Sequence, residues 1–326
     1  MKLPQPPASP YPSQSSERNR WVTDLRRAPN PLDPQVPYAF ISEQEPDATA
    51  NIVTVSTIFL TNRQCPWKCV MCDLWQNALP ESVPPGAIPA QIDHALSRLP
   101  PASHIKLYNA GSFFDPSAIP PDDYPAIAER VRHFDRVIVE SHPALIAARC
   151  FEFRDMLDAQ LEVAIGLETA HPEALERLNK GMTLDEFSTA ADLLRAESIA
   201  LRVFLLVHPP FIDRAQTDDW LRCSIDFSFD RGATAVSLIP TRTGNGAMEA
   251  LEAAGEFVTP MLADLERGIE YGLSLHRGRV FADLWDLERF SNCATCFLPR
   301  KARLAEMNLH QTSLPPILCD ACHRAQ

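Results

Sequence analysis

The sequence predicts an α/β fold, a partial (β/α)6 barrel followed by a C-terminal four-cysteine metal module. Three observations carry that expectation. From Ile52 onward, short apolar runs alternate with longer stretches of helical periodicity, the pattern of repeated β-α units around a parallel sheet. The unusual residues fall just after the apolar runs, where the strands of a parallel barrel meet their following loops. Seven of the nine cysteines gather into one triplet and two C-x2-C pairs, which points to metal rather than to a disulfide scaffold.

Residues 1 to about 16 are rich in Pro, Ser and Gln, and a chain of that composition is expected to be disordered. A short helix is expected over 17–27, with Trp21, Val22 and Leu25 on one side. It runs into the proline-dense PNPLDPQVPY, which must be extended, so the N-terminus reads as a wrap that packs Trp21 and Phe40 on the barrel exterior. Residues 52–60 form the first strand. The strands that follow are HIKLYN, DRVIVE, LEVAIGLE, IALRVFLLV and TAVSLIP. Helices are expected over 90–99, 124–134, 143–158, in two pieces within 172–196, and over 215–230, which gives six β-α units joined by right-handed crossovers. Beyond them come a helix over 259–273, a strand in RVFADLWDL and a helical RKARLAEMN. The chain thus divides into an N-terminal extension (1–50), a core (51–285) and a metal module (286–326).

With 326 residues, 45% of them hydrophobic, the chain can bury a barrel-sized core and carry an appendage. Its most apolar segment, 199–212, contains Arg202, His208 and two prolines and is too short to span a bilayer. The N-terminus lacks the cationic-then-apolar pattern of a signal peptide. Together with the clustered thiols, this leads us to expect a cytoplasmic protein without membrane contact. A net charge of −12 gives no overall electrostatic footprint for nucleic acid, although a local basic face can coexist with an acidic total.

Directly after the first strand, CPWKCVMC sets Cys65, Cys69 and Cys72 in a C-x3-C-x2-C array. Three thiolates so spaced can ligate three irons of a cubane and leave the fourth iron open to chemistry. A zinc knuckle or a group of buried thiols is the plainer alternative, but zinc sites usually close a tetrahedron with four Cys or His ligands, and no fourth ligand lies nearby in the sequence. The spacing and the strand before it resemble the radical S-adenosylmethionine (SAM) superfamily. That resemblance implies a [4Fe-4S] cluster at Cys65, Cys69 and Cys72, reductive cleavage of SAM, an electron donor such as flavodoxin or ferredoxin, and Met71 packed near the adenine.

The strand tips carry the other candidates. Asn109, Gly111 and Ser112 lie in NAGSFFDP, a loop that by resemblance holds the amino group of SAM; the plain reading is a turn in which Gly supplies an unusual backbone angle. Glu140 in ESHP can accept hydrogen bonds from ribose hydroxyls, while Ser141 is placed to cap the next helix. The segment AIGLETAHPEALERLNKGMTLDEF resembles the I-G-x-E and trailing K/R-G of the branch that includes Elongator catalytic subunits, methylthiotransferases and archaeosine-synthase radical proteins. Gly166 would admit SAM closely, with Glu168 near its polar end. His208 ends the fifth strand and Arg242 follows the sixth, which makes them the candidate catalytic and substrate-binding side chains, or else a structural histidine and a solvated loop charge.

At the C-terminus Cys293, Cys296, Cys319 and Cys322 form two knuckles, a four-thiolate site for zinc or for an auxiliary iron–sulfur cluster. Cys150 and Cys223 read as small buried hydrophobes. The segments AGSFFDP, ESHP, VAIGLET, NKGMTLDEF and LLVHPPF resemble the archaeosine-biosynthesis proteins, which implies radical chemistry on a modified nucleobase or tRNA, or on a small molecule, alongside a partner transferase. The rival functions are a non-catalytic zinc-binding adaptor and a methylthiotransferase-like enzyme with an auxiliary cluster.

Overall fold

The computed structural model describes residues 9–323. Of residues 1 to about 16, expected to be disordered, 1–8 lie outside that range, whereas Tyr11 is buried with its hydroxyl donating to Arg177 O at 2.7 Å and Ser15 already opens a helix, so that expectation fails over 9–16. Helix α1 (Ser15–Asp24) precedes β1 (Ala39–Pro46) and β2 (Ile52–Leu60). The chain then runs through α2 (Ala87–Leu96), β3 (His104–Asn109), α3 (Tyr124–Val131), β4 (Arg136–Glu140), α4 (Ala148–Asp155) and β5 (Gln160–Glu168). After β5 come α5 (Pro172–Arg177), α6 (Leu184–Ala196), β6 (Ala200–Val207), α7 (Thr217–Asp230) and β7 (Ala235–Pro240). The last elements are α8 (Ala247–Ala253), α9 (Leu262–Ser274), β8 (Arg279–Ala282), α10 (Ala294–His310) and α11 (Asp320–His323).

One eight-stranded sheet, in sequential order, curls into a half-barrel with helices on its outer face. Pairing is parallel from β2 to β8, and β1 joins the β2 edge antiparallel in register Ala39↔Phe59 to Pro46↔Ile52. The expected six strands therefore gain two neighbours. One of them, β1, falls inside the expected N-terminal extension. The other is the strand expected in RVFADLWDL, which stops at Ala282 because the backbone from Asp283 turns into the loop at the barrel mouth.

The apolar side chains of the strands point outward. Ile58, Leu60, Ile105, Leu107, Val137, Val139, Val163, Ile165, Val203, Leu205, Val236 and Val280 are all fully buried beneath the helices. That layer is the hydrophobic core, and its burial is the main force holding the sheet to the helices.

The inner face of the half-barrel has a different chemistry. Glu43 and Glu45 of β1, Lys106 of β3, Arg136 of β4, Glu162 of β5, Arg202 of β6 and Arg279 of β8 form one ionic floor. Glu162 is its centre, accepting from Arg202 at 2.7 Å, from Arg136 at 2.9 Å and from Arg279 at 3.0 Å. Burial alone would raise its carboxyl, but the guanidinium groups of Arg202, Arg279 and Arg136 overcome that and hold it down at about 2. Charges taken this far from water persist only when paired.

Helix α10 closes the side of the half-barrel, packing against both β8 and β1. Its amides continue the β8 edge: Ala282 N–H donates to Asn308 Oδ1 at 2.8 Å and Val280 N–H to Gln311 Oε1 at 2.7 Å, while both amide nitrogens donate back to the carbonyls of the same two residues. The strand edge is thereby blunted without another strand. Among the described residues no helix is long and apolar enough to cross a membrane.

Replacing Glu162 by Gln leaves three buried guanidiniums facing a neutral amide, and urea titration is expected to show a loss of about 3–5 kcal/mol. The sign with pH follows from the depressed carboxyl, at about 2 against an ordinary 4.5: its contribution is complete above the ordinary value and disappears as pH falls toward the lower one. The E162Q chain should accordingly lose less stability than the parent across that acid range.

Candidate active site

A cavity of about 1160 Å³ opens between the ionic floor and the strand tips. Cys65, Cys69 and Cys72 line it together with Met71, Asn109, Gly111, Ser112, Glu140, Gly166, Glu168, Lys180 and Arg242. Of the residues expected around this mouth, all but His208 are thus brought to one space. Midway down, the wall is aromatic: the Phe59 ring lies 5.7 Å from Tyr38 and 6.0 Å from Trp285, and Tyr108 stands edge-on to Phe204 at 6.0 Å.

The cysteine loop has no regular secondary structure of its own over 64–72, so its shape comes from what grips it. Trp67, between the first two cysteines, stacks on His142 with ring centroids 3.7 Å apart and planes within 13°. Gly181, with φ +70°, lies against the indole, and a Cβ there would stand 2.8 Å from Trp67 Cδ1. His142 Nε2–H donates to Lys180 O at 3.0 Å while Nδ1 accepts from Ala144 N–H at 3.2 Å, so both ring nitrogens are engaged by the neutral imidazole. Burial, aided by the Lys180 charge, lowers His142 to about 4, consistent with that tautomer.

The loop backbone is pinned as well. Asn179 Nδ2 donates to Lys68 O at 2.8 Å, and Asn245 Nδ2 donates to Val70 O at 2.8 Å and to Cys72 O at 3.1 Å. Val70 N–H donates to Leu178 O at 3.0 Å. Gly111 leaves room for the first thiol, since a Cβ there would come within 3.3 Å of Cys65 Cβ. Gly166 makes space for the Glu168–Lys180 pair, whose Oε1–Nζ distance is 2.7 Å; a Cβ at 166 would stand 2.6 Å from Lys180 Nζ. Those glycines are spacers around the thiol loop and its ion pair.

Burial pushes the Cys65 and Cys69 thiols up to about 11 and Cys72 up to about 12. Thiolates in such a place need cationic ligation. The three sulfurs are not a group whose members all lie within 4.8 Å of one another. One ion with metal–sulfur bonds of about 2.3 Å holds two sulfurs no more than about 4.6 Å apart, so a single ion would need these sulfurs to draw together, whereas three thiols can each ligate one iron of a cubane. Above it, Asn109 is buried with both amide atoms lacking a partner among the described residues. Ser112 Oγ accepts from His142 N–H at 2.8 Å, and burial raises the Glu140 carboxyl to about 8. A polar molecule above the thiols would satisfy the Asn109 amide.

Several expectations need correction. His208 does not line the cavity: its Nε2 lies 2.9 Å from Thr217 Oγ1 and 3.5 Å from Asp264 Oδ2, turned toward α7 and α9 on the outer side of the sheet. Cys223 is exposed, whereas Cys150 is buried as expected. The cap after β4 comes from the His142 ring, while Ser141 Oγ donates to the His142 carbonyl. Arg242 lines the mouth, but its guanidinium is already paired with Asp283.

Reasoning from sequence missed Arg26 as a site residue. It reaches the cavity from just beyond α1, its guanidinium 5.1 Å from the Trp75 ring centroid, and it makes no ion pair with a described residue. Trp67 and Asn179 were also missed. A bulky indole set inside so short a cysteine loop was the available signal for the first of them.

At the other end of the chain, Cys293, Cys296, Cys319 and Cys322 bring four sulfurs within 4.8 Å of one another, an arrangement that could hold a metal ion. None of the four lines the cavity.

Gly181→Ala would force a methyl group into the Trp67 indole at a left-handed backbone position, a cost of about 1–3 kcal/mol. After anaerobic iron–sulfide reconstitution the variant is expected to retain less iron per chain than the parent. An unchanged iron content and an unchanged near-UV tryptophan signal would contradict the indole's part in setting the thiol loop.

No family model matches the chain. It is 25% identical over 222 residues to an uncharacterized protein of Methanocaldococcus jannaschii, covering 63% of this chain and 61% of that protein. It is also 25% identical over 221 residues to archaeosine synthase subunit beta of Methanosarcina acetivorans, covering 63% of each. The chain thus spans about three fifths of the length of these curated relatives. Among solved structures, the radical SAM enzyme methylornithine synthase aligns with a TM-score of 0.50 and 12% identity, over 69% of this chain and 64% of that one. This chain therefore has the fold of the radical SAM enzymes and is similar in sequence to the archaeosine synthase branch that its motifs resemble.

Proposed function

We propose that the chain is a radical SAM enzyme that abstracts hydrogen from a modified nucleobase, free or within tRNA. The carrying observation is that three thiols share a cavity with an unpartnered buried amide and a ring of polar strand-tip groups. In this reading Cys65, Cys69 and Cys72 hold a [4Fe-4S] cluster. When bound, cluster and SAM together supply one-electron cleavage of the sulfonium to methionine and a hydrogen-abstracting 5′-deoxyadenosyl group.

The chain's own residues hold and shield. Asn109, Gly111 and Ser112 receive the amino end of SAM, and Met71 packs by the adenine. Glu140, with its raised carboxyl, can donate to or accept from a ribose hydroxyl. Lys180 neutralises Glu168 beside Gly166, so the backbone there stays open to the cofactor without a free carboxylate. Arg242 faces the substrate, with Asp283 as the counter-ion that an anionic group would displace. The aromatic wall and α10 keep water from the space where the radical acts. His208, held by Thr217 and Asp264, takes a positioning part behind the sheet.

The nucleobase substrate is supported by the relative named archaeosine synthase subunit beta, and the word subunit in that name supports a partner protein such as a transferase. A flavodoxin or ferredoxin would deliver the electron. The nine free cysteines suit the reducing cytoplasm. The C-terminal four hold a second metal, zinc in our assignment. We assign 1–50 to an N-terminal extension, 51–285 to the core and 286–326 to the metal module, with β1 of the extension completing the core sheet.

Cys69→Ala should abolish cluster absorbance and 5′-deoxyadenosine formation together after anaerobic reconstitution. Retention of reductive SAM cleavage in that variant would overturn the assignment.

A further inference from the structure

We propose that the C-terminal tetrad is a mononuclear tetrathiolate zinc site, not an auxiliary iron–sulfur cluster, and that it latches α10, the helix that closes the side of the cavity. This rests on reading the tetrad as a metal site and goes further, to its nuclearity and its work. Four sulfurs around one ion at about 2.3 Å stand about 3.8 Å apart along each tetrahedral edge. Cys293 and Cys319 sulfurs lie 3.9 Å apart, Cys296 and Cys322 sulfurs 3.6 Å, and all four fall within 4.8 Å. A cubane places an iron behind each sulfur and would spread the four sulfurs farther apart than this. The two cysteine groups of this chain are thus built to different spacings.

Position argues the same way. A sulfur-donating cluster must touch the substrate, yet none of the four cysteines lines the cavity. What the tetrad does reach is the start of α10. Cys293 is the N-cap residue and Cys296 lies in the first turn. Pro299, inside that helix, has no N–H to donate to the Thr295 carbonyl, so the first turn is weakly tied by its own backbone. Cys319 immediately precedes α11 and Cys322 lies within it, and at four residues that helix is too short to stand alone. Across 315–321 only Cys319 is buried, and Leu318 is 83% exposed, so apolar packing does not hold this end of the chain. Arg303 holds the carbonyls of Leu314 and Pro315, with Nε donating to Pro315 O at 2.8 Å; beyond Pro315, among the described residues, ligation through the sulfurs is what remains to hold the chain. Farther along α10, Ala305, Asn308 and Leu309 line the cavity, and Asn308 and Gln311 bind the β8 edge. Fixing the start of the helix therefore steadies one wall of the site.

Metal analysis of the full-length, anaerobically reconstituted protein tests this directly. The expected content is about four irons and one zinc per chain. In the Cys319→Ser/Cys322→Ser variant the zinc should be lost and the iron kept, and hydrogen exchange should quicken over 294–310 while β2–β7 stay protected. A parent with about eight irons, with one extra iron in place of zinc, or with no second metal overturns the proposal. So does a variant that loses iron in proportion, or one that loses zinc with no change in exchange over α10. If the double variant fails to fold, the parent's metal content and its visible spectrum after cobalt substitution still decide the nuclearity. Failure of the SAM-cleavage reading is separate, since Cys69→Ala would remove iron and leave the zinc.

Discussion

The indole of Trp67, lodged between the His142 ring and Gly181, is the contact on which the arrangement of the site depends. It ties the cysteine loop to the loop after β4 and, through the His142–Lys180 hydrogen bond, to the segment after α5. Asn179 and Asn245 then fix the carbonyls of Lys68, Val70 and Cys72. A loop with no helix or strand of its own is thereby shaped by three distant parts of the chain. A metal cluster needs that preorganisation, because ligand sulfurs free to wander would close on a single ion or on one another.

The sheet makes this possible by separating two tasks. Its outward face is apolar and binds the helices, as in any α/β fold. Its inward face is free to be polar, with the ionic floor at the strands' starts, an aromatic wall midway and the thiols and polar groups that line the cavity at their ends. Because the floor joins residues from β1, β3, β4, β5, β6 and β8, it also sets the curvature of the half-barrel, and with it the spacing of the strand tips. The open side is closed by a helix that satisfies the last strand edge through side-chain amides.

Much of this was legible in the sequence because outward apolar runs are a strong signal. The strands expected over 52–60 and in HIKLYN are β2 and β3 residue for residue, and β4–β7 differ only at their ends. The element that was missed, β1, has the opposite pattern: Glu43 and Glu45 sit where a sheet ordinarily puts apolar side chains, since they face an ionic floor formed by residues from distant parts of the chain. The helix expected over 143–158 breaks into a short 3-10 turn and α4 because the chain must first present His142 to Trp67. His208 illustrates the limit at the site: the strand tip was found correctly, but its left-handed backbone (φ +54°) and its buried partners turn the ring outward. Arg26 was hidden for another reason, as nothing in a short exposed helix tells which of its basic residues will be folded onto a remote loop.

The central claim is that three thiols at the barrel mouth hold a cluster whose remaining iron is open to SAM. Electron paramagnetic resonance of the reduced, reconstituted protein, recorded before and after SAM is added, tests it most directly. The account predicts a reduced-cluster signal that changes shape when SAM binds; a signal indifferent to SAM, or no cluster signal at all, would contradict it.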